Sequence, residues 1–508
     1  MPTSLHVTLM MLLTFGCEAV GADALALPSS RSVATQHTAP FAEGMAARRL
    51  GKKLLPSTVD SAASTVSPLV LDLDGDGVET LGLEAQVHFD HNGDRFAEQT
   101  GWAGPRDALL VRDLDHDGRI TSGRELFGSR TLLPNGRRAA HGFEALAALD
   151  ENNDGFIDSS DSAFGELMLW TDANSDGLTD EGELIWVAPR RLPQDDRLSP
   201  LETAGILSID VRYRPSLKVD AQGNSHKQVS RYTSASGSSR EVVDVWVKIE
   251  SSITVELDVL PLPDDVEALP QLGGYGTVRS LSQAMVRDPA LKAIVQKFMA
   301  ASTPESRARL MRDILWRWTG ADAHAPDSRG PSISDARWMV MLDAFYGKAF
   351  WSDVDSAAQH PTRAEAAKIY QQSQQIFVQM YSRLLSITHV GKAFNLIDVK
   401  GDSQTMTFTL NVSSAIDLLV ANASEHPEEG MGLIKDFLFA LRCNQQVTPA
   451  MVKQLKAGLA PLGAKAVALV DAPIPMFLPL LDRKVKGAYP KVSSKQPTPA
   501  FRSRPDAL

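Results

Sequence analysis

The 508-residue chain has almost no cysteine: Cys17 and Cys443 are the only two. A disulfide framework is therefore excluded as its source of stability, and no Cys/His spacing offers a zinc site. Long apolar runs are missing too. The stretch His6–Phe15 is too short to cross a bilayer, and Ala464–Leu481 is broken by Lys465, Asp471 and three prolines, so no membrane span is expected. Lysine is absent from Pro68 to Pro189, a segment that holds 25 acidic residues against eight arginines. That balance of −17 sits in a chain whose total is −11, so the rest of the molecule is net basic. Self-repulsion on this scale calls for bound cations, and it argues against nucleic acid as a partner. Motifs of hydrolysis and phosphate binding are also lacking: there is no Gly-x-Ser-x-Gly, no Walker loop and no His-Glu-x-x-His. The spacing of His88, His91, His116 and His141 makes no zinc motif.

The acidic segment instead holds five Asp/Asn-rich loops between Asp72 and Glu183. The clearest is Asp172-Ala-Asn174-Ser-Asp176-Gly177-Leu178-Thr-Asp180-Glu-Gly-Glu183, which matches an EF-hand calcium loop at each ligand position. A hard cation such as Ca2+ takes six to eight oxygens, and a short chain supplies them only by turning sharply. Asp172, Asn174 and Asp176 would offer side-chain oxygens, Leu178 its carbonyl, Asp180 a direct or water-borne contact, and Glu183 a bidentate carboxylate. Gly177 permits the tight turn.

Two neighbours repeat the design. Asp150, Asn152, Asp154, Phe156 (through its carbonyl) and Asp158 lead to Asp161, a shorter acid expected to bind through one oxygen. Asp113, Asp115, Asp117, Arg119 (through its carbonyl) and Thr121 lead to Arg124 at the twelfth place, so Glu125 is the expected closing ligand of a slightly longer loop. The runs Asp72, Asp74, Asp76 and Asp90, Asn92, Asp94 read as half-sites with no matching downstream acid, which either borrow ligands from a distant segment or bind nothing. Solvated Asx turns are the bland alternative, and three loops with glycine at the sixth place weigh against it. Magnesium fits less well, because it prefers rigid octahedral sites that keep several waters.

At 43% hydrophobic residues the chain can bury sizeable cores in roughly three domains. Residues 1–24 read as a cleaved signal peptide ending at Ala22-Asp-Ala24, although the stretch lacks a basic start. Residues 25–66 read as a linker, 67–260 as the acidic calcium module, 271–461 as a helical domain and 485–508 as a disordered basic tail. The expected fold class is α+β: an EF-hand-like calcium-loop module closed by a small antiparallel sheet, followed by a mostly α-helical domain. Leu69–Leu73, Ile206–Tyr213, Gln228–Ser234 and Val242–Ile249 are expected strands, and Asp161–Trp170 is expected to be a helix joining two loops. Helices are expected near 276–300, 304–319, 333–347, 362–385, 413–424, 428–442 and 448–461, with Trp316, Trp318, Trp338 and Trp351 in their core.

The ordered runs Ser67-Pro-Leu-Val-Leu-Asp72-Leu-Asp74-Gly-Asp76, Phe89-Asp-His-Asn-Gly-Asp94, Thr100-Gly-Trp102, Leu110-Val-Arg-Asp113, Glu125-Leu-Phe-Gly128, Val242-Val-Asp-Val-Trp246 and Leu272-Gly-Gly-Tyr-Gly276 resemble the calcium-dependent self-processing module of Frp-type iron-regulated RTX proteins. The resemblance covers roughly residues 67–445. It implies calcium-induced folding, and in active members cleavage of an Asp-Pro bond at the start of the module, with transfer of the aspartyl group to a lysine. Here Ser67 stands where that aspartate would be. An aspartate closes a five-membered anhydride on its own carbonyl, whereas a serine would have to form a strained four-membered lactone. The equivalent reaction is therefore not expected. The one Asp-Pro pair, Asp288-Pro289, reads more simply as a helix N-cap followed by proline in the first turn.

These observations lead to an exported bacterial calcium-binding protein, RTX-associated, secreted or at the cell surface or in the periplasm, whose acidic module folds on calcium. A self-cleaving protein acting at Asp288-Pro289 or another bond, and a host- or surface-interaction protein whose helical tail docks a protein partner with calcium as a structural brace, are the competing readings.

Overall fold

The computed structural model describes residues 64–188, 203–350, 360–402, 407–444, 447–475 and 477. The signal-peptide stretch, nearly all of the linker, Trp351 and the basic tail lie outside the described residues.

The chain is mixed α and β, with an N-terminal curled antiparallel sheet and a helical C-terminal part. The sheet contains β1 (Ser64–Val66), β2 (Leu69–Leu71), β4 (Val87–Phe89), β5 (Phe96–Thr100), β7 (Ala108–Val111), β8 (Phe156–Asp158), β9 (Met168–Trp170), β10 (Leu184–Trp186), β11 (Ile206–Asp210), β12 (Arg214–Val219), β13 (Ser225–Ser234) and β14 (Ser239–Glu256). A separate pair, β3 (Thr80–Leu81) and β6 (Trp102–Ala103), packs beside it. The 18-residue β14 is the spine: it pairs with β1 and β2 along one side and with β13 and β5 along the other. The β13–β14 hairpin turns at Ser234–Ser239, as the Ser/Gly run there predicts.

Alternation along each strand sends side chains to both faces, and both faces are covered. Val70, Leu109, Val111, Trp170, Val243, Val245 and Val247 fill one core, with Phe89 and Trp102. Leu69, Leu71, Ala108, Leu110, Leu169 and Val242 fill the other, with Phe143, Leu146, Ile157 and Phe164. Strands buried on both faces read as unbroken apolar runs with no period of two.

That double burial accounts for two departures from the sequence reading. The sheet runs through the whole acidic segment rather than closing it at the end. Asp161–Trp170 is not a helix: Ser162–Glu166 makes one 3-10 turn, and Met168–Trp170 becomes β9, paired with β7 and β10. Phe164, Leu167 and Met168 are buried against sheet neighbours, and a short apolar run of this kind satisfies a buried strand as well as a helix face.

Helices begin with the short α1 (Gly142–Ala147) inside the sheet region. Beyond it lie α2 (Asp264–Glu267), α3 (Leu281–Arg287), α4 (Pro289–Met299), α5 (Pro304–Trp318), α6 (Arg337–Tyr346), α7 (Arg363–Ile387), α8 (Gly391–Phe394), α9 (Ser413–Glu425), α10 (Pro427–Asn444), α11 (Pro449–Leu459) and α12 (Ala464–Ala468). The seven expected segments all appear, the first split into α3 and α4 at Asp288. Ser280, Asp288, Thr303, Thr362 and Thr448 cap their helices through side-chain oxygens, which satisfy N–H groups that have no partner within the helix. Trp316, Trp318 and Trp338 lie in the helical core. A hairpin, β15 (Asp398–Asp402) with β16 (Thr407–Asn411), interrupts the helices and was not anticipated.

The end of β14 carries the junction between the two parts. Ser251 Oγ donates to the Tyr346 carbonyl at 2.7 Å and Thr254 Oγ1 to the Gly276 carbonyl at 2.7 Å. Among the described residues no helix is long and apolar enough to cross a membrane.

Candidate metal centre

The five acidic loops fold by one repeated pattern of hydrogen bonds. In four of them the sixth residue donates its N–H to the first aspartate: Arg95 to Asp90 at 2.8 Å, Gly118 to Asp113 at 2.9 Å, Gly155 to Asp150 at 3.0 Å and Gly177 to Asp172 at 2.8 Å. The N–H of the fifth residue reaches the side chain of the third, for Asn92, Asp115, Asn152 and Asn174, at 2.8 to 3.3 Å. The seventh reaches the fifth, so Phe96, Arg119, Phe156 and Leu178 donate to Asp94, Asp117, Asp154 and Asp176 at 2.8 to 2.9 Å. These Asx turns fold the first, third and fifth side chains back onto the loop's own backbone N–H groups. The winding demands left-handed backbone at the sixth residue, where glycine stands in three loops and Arg95, at φ 74°, in the fourth.

A carboxylate then closes each loop by accepting the N–H of the second residue. Glu125 accepts from Leu114 at 3.4 Å, Asp161 from Glu151 at 2.9 Å and Glu183 from Ala173 at 3.0 Å. The other oxygen of each takes the N–H of the ninth residue: Thr121 at 2.8 Å, Asp158 at 3.0 Å and Asp180 at 3.0 Å. Glu125, one place beyond the usual position, thus folds back as the other two do.

The two half-sites are closed in the same way by acids that the sequence reading did not name. His91 donates its N–H to Glu98 at 3.1 Å, and Leu73 donates to Asp107 at 3.4 Å. Glu98 is the ninth residue of its loop, the place that Asp158 and Asp180 hold in theirs, and that spacing was a legible signal. Asp107 comes from the start of the β7 strand and had no local signal. Carboxylate oxygens of Asp72, Asp74 and Asp107 all lie within 4.8 Å of one another, as do those of Asp113, Asp115 and Asp117. Arg106 reaches Asp74 at 2.7 Å, Asp76 at 3.1 Å and Glu79 at 2.7 Å, so the first loop already has a resident cation.

The loops also meet one another. The eighth residues of the Asp113 and Asp172 loops face each other, with Ile120 N–H donating to Thr179 Oγ1 at 2.9 Å. The helix expected to join the Asp150 and Asp172 loops does not form. Instead the eighth residue of the Asp150 loop, Ile157, lies in β8 opposite Ile209. Gly123 N–H donates to the Asp90 carbonyl at 2.8 Å, which ties the Asp90 loop to the Asp113 loop. Two indoles orient the acids of the Asp172 loop: Trp102 Nε1 donates to Asp172 at 2.8 Å and Trp170 Nε1 to Glu183 at 3.3 Å.

The electrostatics bear on whether a cation fits. Burial pushes Glu98 up to about 7, with the negative charges of Asp94 and Asp90 adding to the rise. Burial likewise lifts Asp107 to about 6, helped by Asp72 and Asp74, and raises Asp90, Glu125 and Asp172. Asp113 Oδ1 is buried with no hydrogen-bond partner. The side-chain donors are oxygens, the set that suits a hard divalent cation.

Residues 69–248 match the SPM domain. The match spans all five loops and the whole of β2 through most of β14. Over 259 residues the chain is 34% identical to the iron-regulated protein FrpA of Neisseria meningitidis serogroup C. That stretch is 51% of this chain and 22% of the relative, so the chain spans about a fifth of the length of the curated relative it matches. The expected kinship with an Frp protein is thereby borne out for about half of the chain.

Proposed function

We propose that this is an exported calcium-binding protein whose acidic module completes its folding when calcium enters EF-hand-like loops. The observation that carries this reading is the repeated closure: in each of five loops an acid accepts the second residue's N–H, and in two of them three carboxylates bring oxygens within 4.8 Å of one another. Asp113, Asp115, Asp117, the Arg119 carbonyl, Thr121 and Glu125 would hold one ion. Asp150, Asn152, Asp154, the Phe156 carbonyl, Asp158 and Asp161 would hold a second, and Asp172, Asn174, Asp176, the Leu178 carbonyl, Asp180 and Glu183 a third. Asp90, Asn92, Asp94 and Glu98 form a fourth candidate. Asp72, Asp74, Asp76 and Asp107 form a fifth, in which calcium must displace Arg106.

Bound calcium supplies positive charge that offsets the −17 balance of the segment. Low calcium leaves the carboxylates repelling one another, and millimolar calcium orders them, which makes the module a folding switch for export. The kinship with an iron-regulated Frp protein supports a role outside the cytoplasm and an RTX association, with the helical part free to dock a protein partner. At Asp288-Pro289 the carboxylate caps α4 through Ala290 N–H at 3.0 Å and pairs with Arg317 at 2.5 Å, which keeps its pKa low and favours capping over cleavage there.

Native mass spectrometry of the full chain tests the assignment by counting bound calcium. Glu183→Gln removes one charge from the best-formed loop and is expected to lose one ion or weaken it at least about tenfold. An unchanged count and affinity would remove the Asp172 loop from the proposal.

A further inference from the structure

The sheet part carries a half-open apolar cavity of about 300 Å3. Its floor is Leu126, Phe127 and Ala145, all buried, with Leu133 and Leu149 beside them. Three stretches of chain enclose it. The residues after β7 run on through Arg112 to Leu114, and Glu125–Phe127 returns alongside, with Arg112 N–H donating to the Glu125 carbonyl at 2.9 Å. The end of α1 closes the far side with Ala145, Ala148 and Leu149. Two leucines of the lining, Leu114 and Leu132, are 50% and 59% exposed, so apolar surface continues from the floor out to solvent.

Charge at this cavity is positive. Side chains alternate along β7, so Arg112 follows Leu110 onto the face whose core holds Phe127 and Phe143. Its Nε donates to Glu166 at 2.8 Å and its Nη2 pairs with the same carboxylate. Among the described residues the third nitrogen, Nη1, has no partner. Arg124 also lines the cavity and forms no ion pair among the described residues. The one acid of the lining, Glu125, has its oxygens engaged by the N–H groups of Leu114, Thr121 and Ser122. Two of the eight arginines in a strongly acidic, lysine-free segment thus line a single apolar cavity.

An apolar cavity with unused guanidinium donors in its lining is complementary to a molecule that is apolar along its length and anionic at one end. We propose that this cavity binds a short aliphatic carboxylate. Its carbons lie on Leu126, Phe127, Leu133 and Leu149, and its carboxylate takes the open edge of Arg112, with Arg124 adding positive charge. The volume sets the length, since it is at the small end of ligand pockets and suits a chain of about eight carbons rather than a full lipid tail. An alcohol of the same length would leave Arg112 without an anion, and an alkylammonium would meet two like charges. The site is distinct from the proposed calcium ligands, apart from Glu125, whose oxygens stay with its own loop.

The test is calorimetric titration of the purified full chain with hexanoate, octanoate, 1-octanol and octylammonium, in millimolar calcium and against a protein-free blank. The expected result is saturable binding of one octanoate per chain, with affinity rising roughly fourfold for each methylene added from hexanoate to octanoate. Octanol and octylammonium bind at least about tenfold more weakly. Ala148→Phe, at an exposed position of the lining, fills the cavity and abolishes binding. Arg112→Gln loses only a partly exposed ion pair, so the fold is retained while octanoate affinity falls about tenfold and octanol affinity does not change. Circular dichroism of each variant confirms that it is folded. No saturable octanoate binding by folded wild type would overturn the proposal, as would equal binding of octylammonium or unchanged binding by folded Ala148→Phe. Sedimentation with phosphatidylglycerol vesicles without uptake of octanoate would also overturn it, by making a lipid surface the ligand. Calcium counts on the same samples read the calcium proposal separately.

Discussion

Single side chains decide how strongly the acidic loops depend on a cation. Glu98 and Asp107 are buried among other acids, so each binds its proton more tightly in the folded chain than in the unfolded one. Without calcium, stability should then rise as pH falls from about 7 towards about 4.5, the window between the folded and unfolded values of Glu98. Protons and calcium compete for the same oxygens, so calcium affinity should fall over the same window. Thermal melts at pH 7.5 and pH 5, in chelator and in millimolar calcium, check both signs. Greater stability at the higher pH in chelator would contradict the placement of these acids. The two residues also mark the limit of what could be read from the sequence. Asp172 through Glu183 lie in one short run, and their spacing exposes them. Asp107 reaches its loop only because the sheet brings β7 beside β2, and nothing near Asp72 in the chain announces it.

Elements were legible in proportion to how strongly one face differs from the other. The helical segments carry a buried stripe and begin at side-chain caps, so their positions followed from spacing and from Ser, Thr, Asp and Pro. The strands β2, β7 and β9 are buried on both faces, which erases the period of two, and β9 was consequently read as part of a helix. A second feature hidden from the sequence joins two helices. Arg307 of α5 and Asp436 of α10 form an ion pair at 2.5 Å, with side chains 1% and 4% exposed. Removing one partner strands the other charge in the core. Arg307→Met should cost about 3–5 kcal/mol in urea denaturation, and most of the loss should return when Asp436→Leu is added. A single-variant loss within the ~0–1 kcal/mol typical of surface pairs would show that this pair is hydrated.

In the whole molecule, the helical part has its own apolar core, separate from the two cores of the sheet. The loops proposed for calcium lie in the sheet part. Calorimetry should therefore resolve two transitions, of which calcium raises the one belonging to the sheet and leaves the other within a few degrees. One transition that moves as a unit would mean that the contacts of Ser251 and Thr254 at the end of β14 fuse the two parts. The central claim is that calcium and the order of the acidic module are one equilibrium. Its most direct test is a calcium titration of the purified full chain, following heat and amide hydrogen exchange together, with magnesium as the control. The account predicts saturable binding of three or more calcium ions, with protection from exchange gained in residues 72–183 and little response to magnesium. No binding at millimolar calcium, with exchange in these loops unchanged, would contradict it.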